Sequence, residues 1–496
     1  MMEHLLSLVL FFPLAGMLVL LAIPSERKSL VRLWANGVLL AGFLISLLLV
    51  INFDHSAAGY QFVERASWIP SIGASYLIGI DGISLLMVML TTLIGFLASL
   101  SSWNEIQDRV KEYYALFLLL QTALIGVFVS LDFFLFYIFF ELVLIPMYFI
   151  IGIWGGERRL YAAIKFFLYT LTGSVLMLLG ILTLYFQYRT QFGIYTFEVA
   201  RLMNLKMDPT VEMWVFWALF VGFAIKIPMF PFHTWLPDAH VEAPTAGSVV
   251  LASVMLKMGT YGFLRFSLPL APHASTTPWV VTTIVTLSII AILYGALVSL
   301  VQTDWKKLVA YSSVSHLGFC TLGIFALNAN GISGSVIQQL NHGISTGMLF
   351  LIVGVAYARR HTREIREYGG LATVLPNFAV VFAIALWSSA ALPLLNGFIG
   401  EFTILSGAFE ANVIWAALAS LGVVLAAAYL LWLYQRVMLG EVKHEANRNL
   451  PDLSLREWAV FLPLIAWAFW IGIYPKPYFD VLAKPVQSIV ERVHGK

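Results

Sequence analysis

Runs of about 20 apolar residues recur along the whole of this chain, and that recurrence constrains its fold more than any other feature. A helix needs about 20 such residues to cross a hydrocarbon layer some 30 Å thick. We read about fourteen runs, near residues 5–23, 30–51, 77–101, 112–129, 131–152, 162–187, 213–233, 243–268, 278–300, 308–327, 332–358, 376–408, 413–439 and 456–474. The composition agrees, with 60% hydrophobic and 11% charged residues among 496. Only helices or closed barrels satisfy their backbone groups in lipid, and runs of this length are helical. The expected fold is therefore an all-α polytopic membrane protein.

Basic residues set the orientation. Loops after even-numbered spans hold only Arg65, Arg189, Arg201 and Lys206. Loops after odd-numbered spans hold most of the remaining Lys and Arg, including Arg158, Arg159, Arg359, Arg360, Arg363 and Arg366. Odd loops thus face the cytoplasm and both termini lie outside. The opening MMEHLLSLVLFF carries its positive charges after the apolar run, so it reads as a first span and not as a cleaved signal.

Two spans look broken. In span seven, AIKIPMFPFHTWLPDAH, Pro228 and Pro231 cannot donate hydrogen bonds, which frees the carbonyls of Ala224 and Ile227. Span twelve is too long for a plain crossing and contains Pro393, Asn396, Gly397 and Gly400. Irregular backbone at membrane depth belongs where it faces protein or a wet cavity, and paired broken helices point to a transport site. Five spans separate the two breaks, an odd number, so spans four to eight and nine to thirteen form two inverted five-helix repeats. The expected division is 1–111 for three leading helices, 112–268 and 278–439 for the repeats, and 440–496 for the last span and tail.

Six titratable side chains lie deep in these runs: Glu141, Lys226, Lys257, His316, His342 and Glu401. A mid-membrane charge costs roughly 2.5–3.5 kcal/mol on insertion scales, so the four Lys and Glu residues would cost about 10–14 kcal/mol unpaired. Pairing or water must offset that cost, and Glu141 is the expected partner of Lys226. Acids, bases and imidazoles are the types that pass protons. Gln338, Asn341, His342, Ser345 and Thr346 share one helix face, and Ser312, Ser315, His316 and Cys320 form a similar stripe. Such stripes hold water, or they join helices by hydrogen bonds. Lys226 likewise admits a plain packing kink.

Other polar residues carry less. Asp81 and Asp132 sit where helix caps are expected. His233, Asp238, His240 and Glu242 cluster after span seven, where turn packing competes with metal binding. Arg265 and Lys165 are expected to reach an interface. The single cysteine, Cys320, excludes cysteine-ligated clusters, and no phosphate loop or dinucleotide fingerprint appears. Nothing here suggests nucleic acid as a partner.

With these residues in place, AIKIPMFPFHTWLPDAHVEAPTAGSVVLASVMLKMGTYG and the full-length pattern resemble the antiporter-like subunits of respiratory complex I. The resemblance implies a proton-translocating membrane-arm subunit. Glu141 and Lys226 would be its charged pair and Lys257 its connecting lysine. His316 and His342 would be central histidines, and Glu401 the terminal group. Glutamate in GFIGEF resembles the M-type (subunit 4) branch, whereas related subunits usually carry lysine there. Phe140 departs from the tryptophan frequent before the glutamate. The resemblance further implies that NADH, FMN, iron–sulfur clusters and quinone reside in partner subunits, with no cofactor in this chain. The implied partners are the other membrane-arm subunits, including sister antiporter-like subunits and the lateral helix of the L-type. The implied place is a bacterial inner membrane, with both termini periplasmic. A subunit of a multisubunit sodium/proton antiporter remains the alternative.

Overall fold

The computed structural model describes residues 2–495. Among the described residues, thirteen helices are long and apolar enough to cross a membrane. The fourteenth crossing is split into Pro376–Ser389 and Asn396–Ala411, each too short to cross alone. That pair is span twelve, broken as expected. Spans seven and twelve are both interrupted. Span seven runs Pro209–Lys226 and resumes as Trp235–Glu242.

Proline chemistry places the breaks. Pro228 removes the donor that Ala224 would have used, and the amide of Met229 takes that carbonyl instead at 2.9 Å. The indole of Trp235 reaches back to the Ile225 carbonyl at 2.9 Å. Span five jogs at Val143, between Phe133–Leu142 and Leu144–Trp154. Pro146 cannot donate to the Leu142 carbonyl, and Glu141 sits at this jog. In span twelve, Ala391 and Leu394 adopt φ of 57° and 75° around Pro393.

Span eight, Thr245–Leu270, is buried from Ala246 onward and differs from a plain helix. Wide π-type turns at Leu251–Met255 and Phe263–Ser267 flank an α-helical segment, Lys257–Gly262. Such turns concentrate at functional sites. Small residues let the neighbours close in on it. A Cβ on Gly259 would lie 2.6 Å from the Phe223 carbonyl oxygen of span seven. A Cβ on Gly343 of span eleven would lie 2.9 Å from the Ser253 carbonyl oxygen. The Ser253 hydroxyl donates to Gly343 O at 2.7 Å, which fixes spans eight and eleven together one turn from Lys257.

Two features depart from the expected helix-only outline. Residues Gln61–Ile69 and Ala74–Ile80 pair as an antiparallel hairpin, so span three begins at Gly82 and not at 77. The tail forms a helix, Lys476–Val493, whose buried Tyr478, Val481, Leu482, Val486, Ile489 and Val493 make one apolar face. This helix packs on the start of span three, where a Cβ on Gly82 would meet Val481 O at 2.0 Å. Arg492 donates to Pro269 O at 3.2 Å. Hairpin and tail helix therefore cover the end of the bundle that carries the loops after even-numbered spans.

Candidate functional site

Four of the six candidate residues come together as a line through the bundle interior. Lys257 Nζ lies 2.6 Å from His342 Nδ1 and also donates to Ala252 O at 2.6 Å. The His342 and His316 rings are 5.9 Å apart between centroids. His316 Nδ1 lies 2.9 Å from Glu401 Oε1. The Gln338 amide also donates to that oxygen, at 3.0 Å. None of the four side chains is more than 2% exposed. The line joins spans eight, eleven, ten and twelve.

The break in span twelve presents Glu401 to this line. Asn341 Nδ2 donates to Asn396 O at 2.6 Å, and Asn396 Nδ2 donates to Asn341 O at 3.3 Å. The Ser388 hydroxyl donates to Asn396 Oδ1 at 2.5 Å. These bonds tie Asn396, at the start of the second half, to span eleven and to the end of the first half. Gly400 lets span twelve approach closely, since a Cβ there would lie 2.3 Å from Gln338 Oε1.

The first two candidates are arranged otherwise. Glu141 and Lys226 are not in direct contact: neither Lys226 Nζ nor Glu141 Oε1 has a hydrogen-bonding partner among the described residues. The ammonium instead lies over the Phe140 ring at 5.2 Å and the Phe166 ring at 5.7 Å, a cation–π setting. Proline ends the helix just beyond Lys226, while Glu141 rides on the jog of span five. Separate backbone irregularities thus place the two groups.

Arg265 corrects the sequence reading. It is buried, and it pairs with Asp81 at 2.6 Å instead of reaching an interface. Tyr60 Oη at 3.1 Å, Ser84 Oγ at 3.2 Å and Tyr261 Oη at 3.3 Å complete its shell. Asp81 also caps span three, accepting from the amides of Ile83 and Ser84. Asp132 caps span five and accepts from Ser75 of the hairpin. Lys165 bonds Asp238 at 2.7 Å. The cluster after span seven disperses: Glu242 accepts from the Arg158 amide, and His240 stacks on Phe350 at 4.4 Å. No metal-binding group of His, Cys, Asp and Glu forms among the described residues.

The polar stripes join helices, one of the two purposes set out for them. Ser315 donates across to Ile292 O at 2.8 Å and Ser335 to Cys320 O at 2.8 Å, which is helix joining. His342 Nε2 and Thr346 Oγ1 on the stripe of span eleven, and Glu401 Oε2 of span twelve, are buried with no hydrogen-bonding partner among the described residues. Sequence reasoning missed Ser389 and Tyr429, which both approach His316 Nε2 at 3.3 Å. Tyr429 lies in the apolar stretch LAAAYLLW, which offers no local signal.

Residues 130–426, which hold all six candidates, match the family described as NADH:quinone oxidoreductase/Mrp antiporter, TM. The chain is 48% identical to NADH-quinone oxidoreductase subunit M of Rhodobacter capsulatus, across 100% of this chain and 98% of that relative. The chain belongs to the NADH–quinone oxidoreductase subunit M family. This subunit M-type chain also superposes on a chain of respiratory complex I from Thermus thermophilus solved with bound NADH. The TM-score is 0.89 at 32% identity, covering 99% of this chain and 100% of that one. A chain of the Mrp complex from Dietzia sp. DQ12-45-1b has a TM-score of 0.83 at 21% identity. That match covers 100% of this chain and 52% of the other, and it shows the fold alone.

Proposed function

We propose that this chain moves protons across a membrane as a membrane-arm subunit of an NADH:quinone oxidoreductase, through a relay of Glu141, Lys226, Lys257, His316, His342 and Glu401. The observation that carries the reading is the buried line Lys257–His342–His316–Glu401. Two of its links are within hydrogen-bond distance, at 2.6 Å and 2.9 Å. Every member can change its protonation state, and each nitrogen or oxygen can hand a proton to the next.

In this reading a proton enters the first half near Lys226, with Glu141 tuning it through space. It passes to Lys257, along the histidines, and reaches Glu401 in the second half. The two halves are residues 112–268 and 278–439, preceded by 1–111 and followed by 440–496. The asymmetry of basic residues supports cytoplasmic odd loops and periplasmic termini in a bacterial inner membrane. The cofactors NADH, FMN, iron–sulfur clusters and quinone belong to partner subunits in this proposal. Sister antiporter-like subunits and the lateral helix of the L-type subunit are the proposed neighbours.

The test uses Lys226→Ala and Glu141→Ala in the complete complex. Proton uptake by membrane vesicles should fall strongly in each, while NADH oxidation with an artificial acceptor reports undiminished assembly. An assembled Lys226→Ala complex that pumps normally defeats the reading.

A further inference from the structure

His316 is the one member of the line whose two ring nitrogens both have side-chain partners. Nδ1 faces Glu401 Oε1 at 2.9 Å. Nε2 faces the hydroxyls of Ser389 and Tyr429, each at 3.3 Å. Ser389 ends the first half of broken span twelve, and Tyr429 comes from span thirteen, Val413–Met438. The buried face of span thirteen leads in with Ala419, Gly422 and Ala426 and then offers this one hydroxyl. Gly422 brings the helix close, since a Cβ there would lie 2.2 Å from Ile292 Cγ2. A hydroxyl with a purely structural role joins a helix to a carbonyl, as Ser315 does to Ile292 O. The Ser389 and Tyr429 hydroxyls have the imidazole instead.

We propose that Tyr429 and Ser389 are positioning residues that hold His316 in the tautomer able to accept a proton at Nε2 and release one at Nδ1. This rests on the proton-carrying role proposed above for His316 and Glu401. Glu401 Oε1 already accepts from the Gln338 amide, so it faces Nδ1 as an acceptor and the ring proton sits on Nδ1. In a neutral imidazole that leaves Nε2 as the acceptor, and hydroxyls can donate to it.

One proton arrives and one leaves. A proton coming along the line from His342 reaches Nε2 by way of a hydroxyl, which donates its own proton to the ring and takes up the incoming one, forming the imidazolium. The Nδ1 proton then passes to Glu401 Oε1. The ring is left neutral with its proton on Nε2. The hydroxyl pair thereby assigns an uptake side and a release side to a residue that is otherwise symmetric in function.

The test compares Tyr429→Phe, Ser389→Ala, the double variant, Tyr429→Phe with Ser389→Thr, and His316→Ala in the assembled complex. Readouts are protons pumped per NADH oxidised and the solvent deuterium isotope effect on pumping. A neutral hydrogen bond is worth roughly a factor of five, so the double variant should lose pumping by about tenfold or more. Its isotope effect should rise, and threonine at 389 should restore much of the loss. A merely structural role would not move the isotope effect. Wild-type pumping and isotope effect in the double variant, beside a defective His316→Ala, overturn the inference alone. Normal pumping by His316→Ala overturns the relay reading with it. If the double variant fails to assemble, an unchanged isotope effect in both assembled single variants overturns the inference.

Discussion

Lys257 and His342 meet at 2.6 Å between Nζ and Nδ1, inside a bundle where both side chains are fully buried. A charged ammonium has three donors and no acceptor, so Nδ1 accepts and the neutral His342 carries its proton on Nε2. The Ala252 carbonyl, on the widened turn just before Lys257, takes a second ammonium proton at 2.6 Å. This contact joins spans eight and eleven through a pair that can exchange a proton.

Removing the lysine should therefore cut the line at its join. Lys257→Met keeps the volume and removes the transferable proton. Positioned acid–base groups contribute roughly 10²–10⁴-fold to proton transfer, so pumping by this chain should fall by about 10²-fold or more. Fluorescence quenching in inverted vesicles measures the pumping, and NADH oxidation with an artificial acceptor measures assembly. Undiminished pumping in the variant would sink the role given to Lys257.

Arg265 and Asp81 should matter for assembly before they matter for transport. Their contact is 2.6 Å, and both are nearly inaccessible. Breaking a buried pair by removing one partner costs about 3–5 kcal/mol, because the other charge is stranded. Arg265→Met should lower the amount and thermal stability of assembled complex. Adding Asp81→Asn, which retains the helix cap, should recover part of the loss. A double variant less stable than Arg265→Met contradicts the pairing.

Gly400→Ala is expected to disturb Glu401 without touching it. The new Cβ would lie 2.3 Å from Gln338 Oε1 and 2.8 Å from Asn341 Nδ2, the side chains that bond Glu401 and clasp the break. Overpacking of this kind costs typically about 1–3 kcal/mol. Pumping should drop while Gly37→Ala, where nothing lies within 4 Å of the added carbon, stays as wild type. Equal activity of the two variants would count against the close packing of spans eleven and twelve.

The amino-acid sequence by itself determined the crossings, both broken spans and the depth of the six titratable groups. Those properties are local: apolar length decides whether a helix crosses, and a proline frees a carbonyl wherever it stands. Tertiary structure alone decided who meets whom. His316 finds Glu401 and Lys257 finds His342 across 85 residues each, and Arg265 finds Asp81 across 184. Glu141 and Lys226, expected as partners, are each placed by their own helix irregularity. Tyr429 shows the same limit, because an apolar helix gives no sign of which neighbour its fully buried hydroxyl will face. Partners follow from how glycine-lined helices close on one another, and that choice belongs to the packed bundle rather than to any one segment.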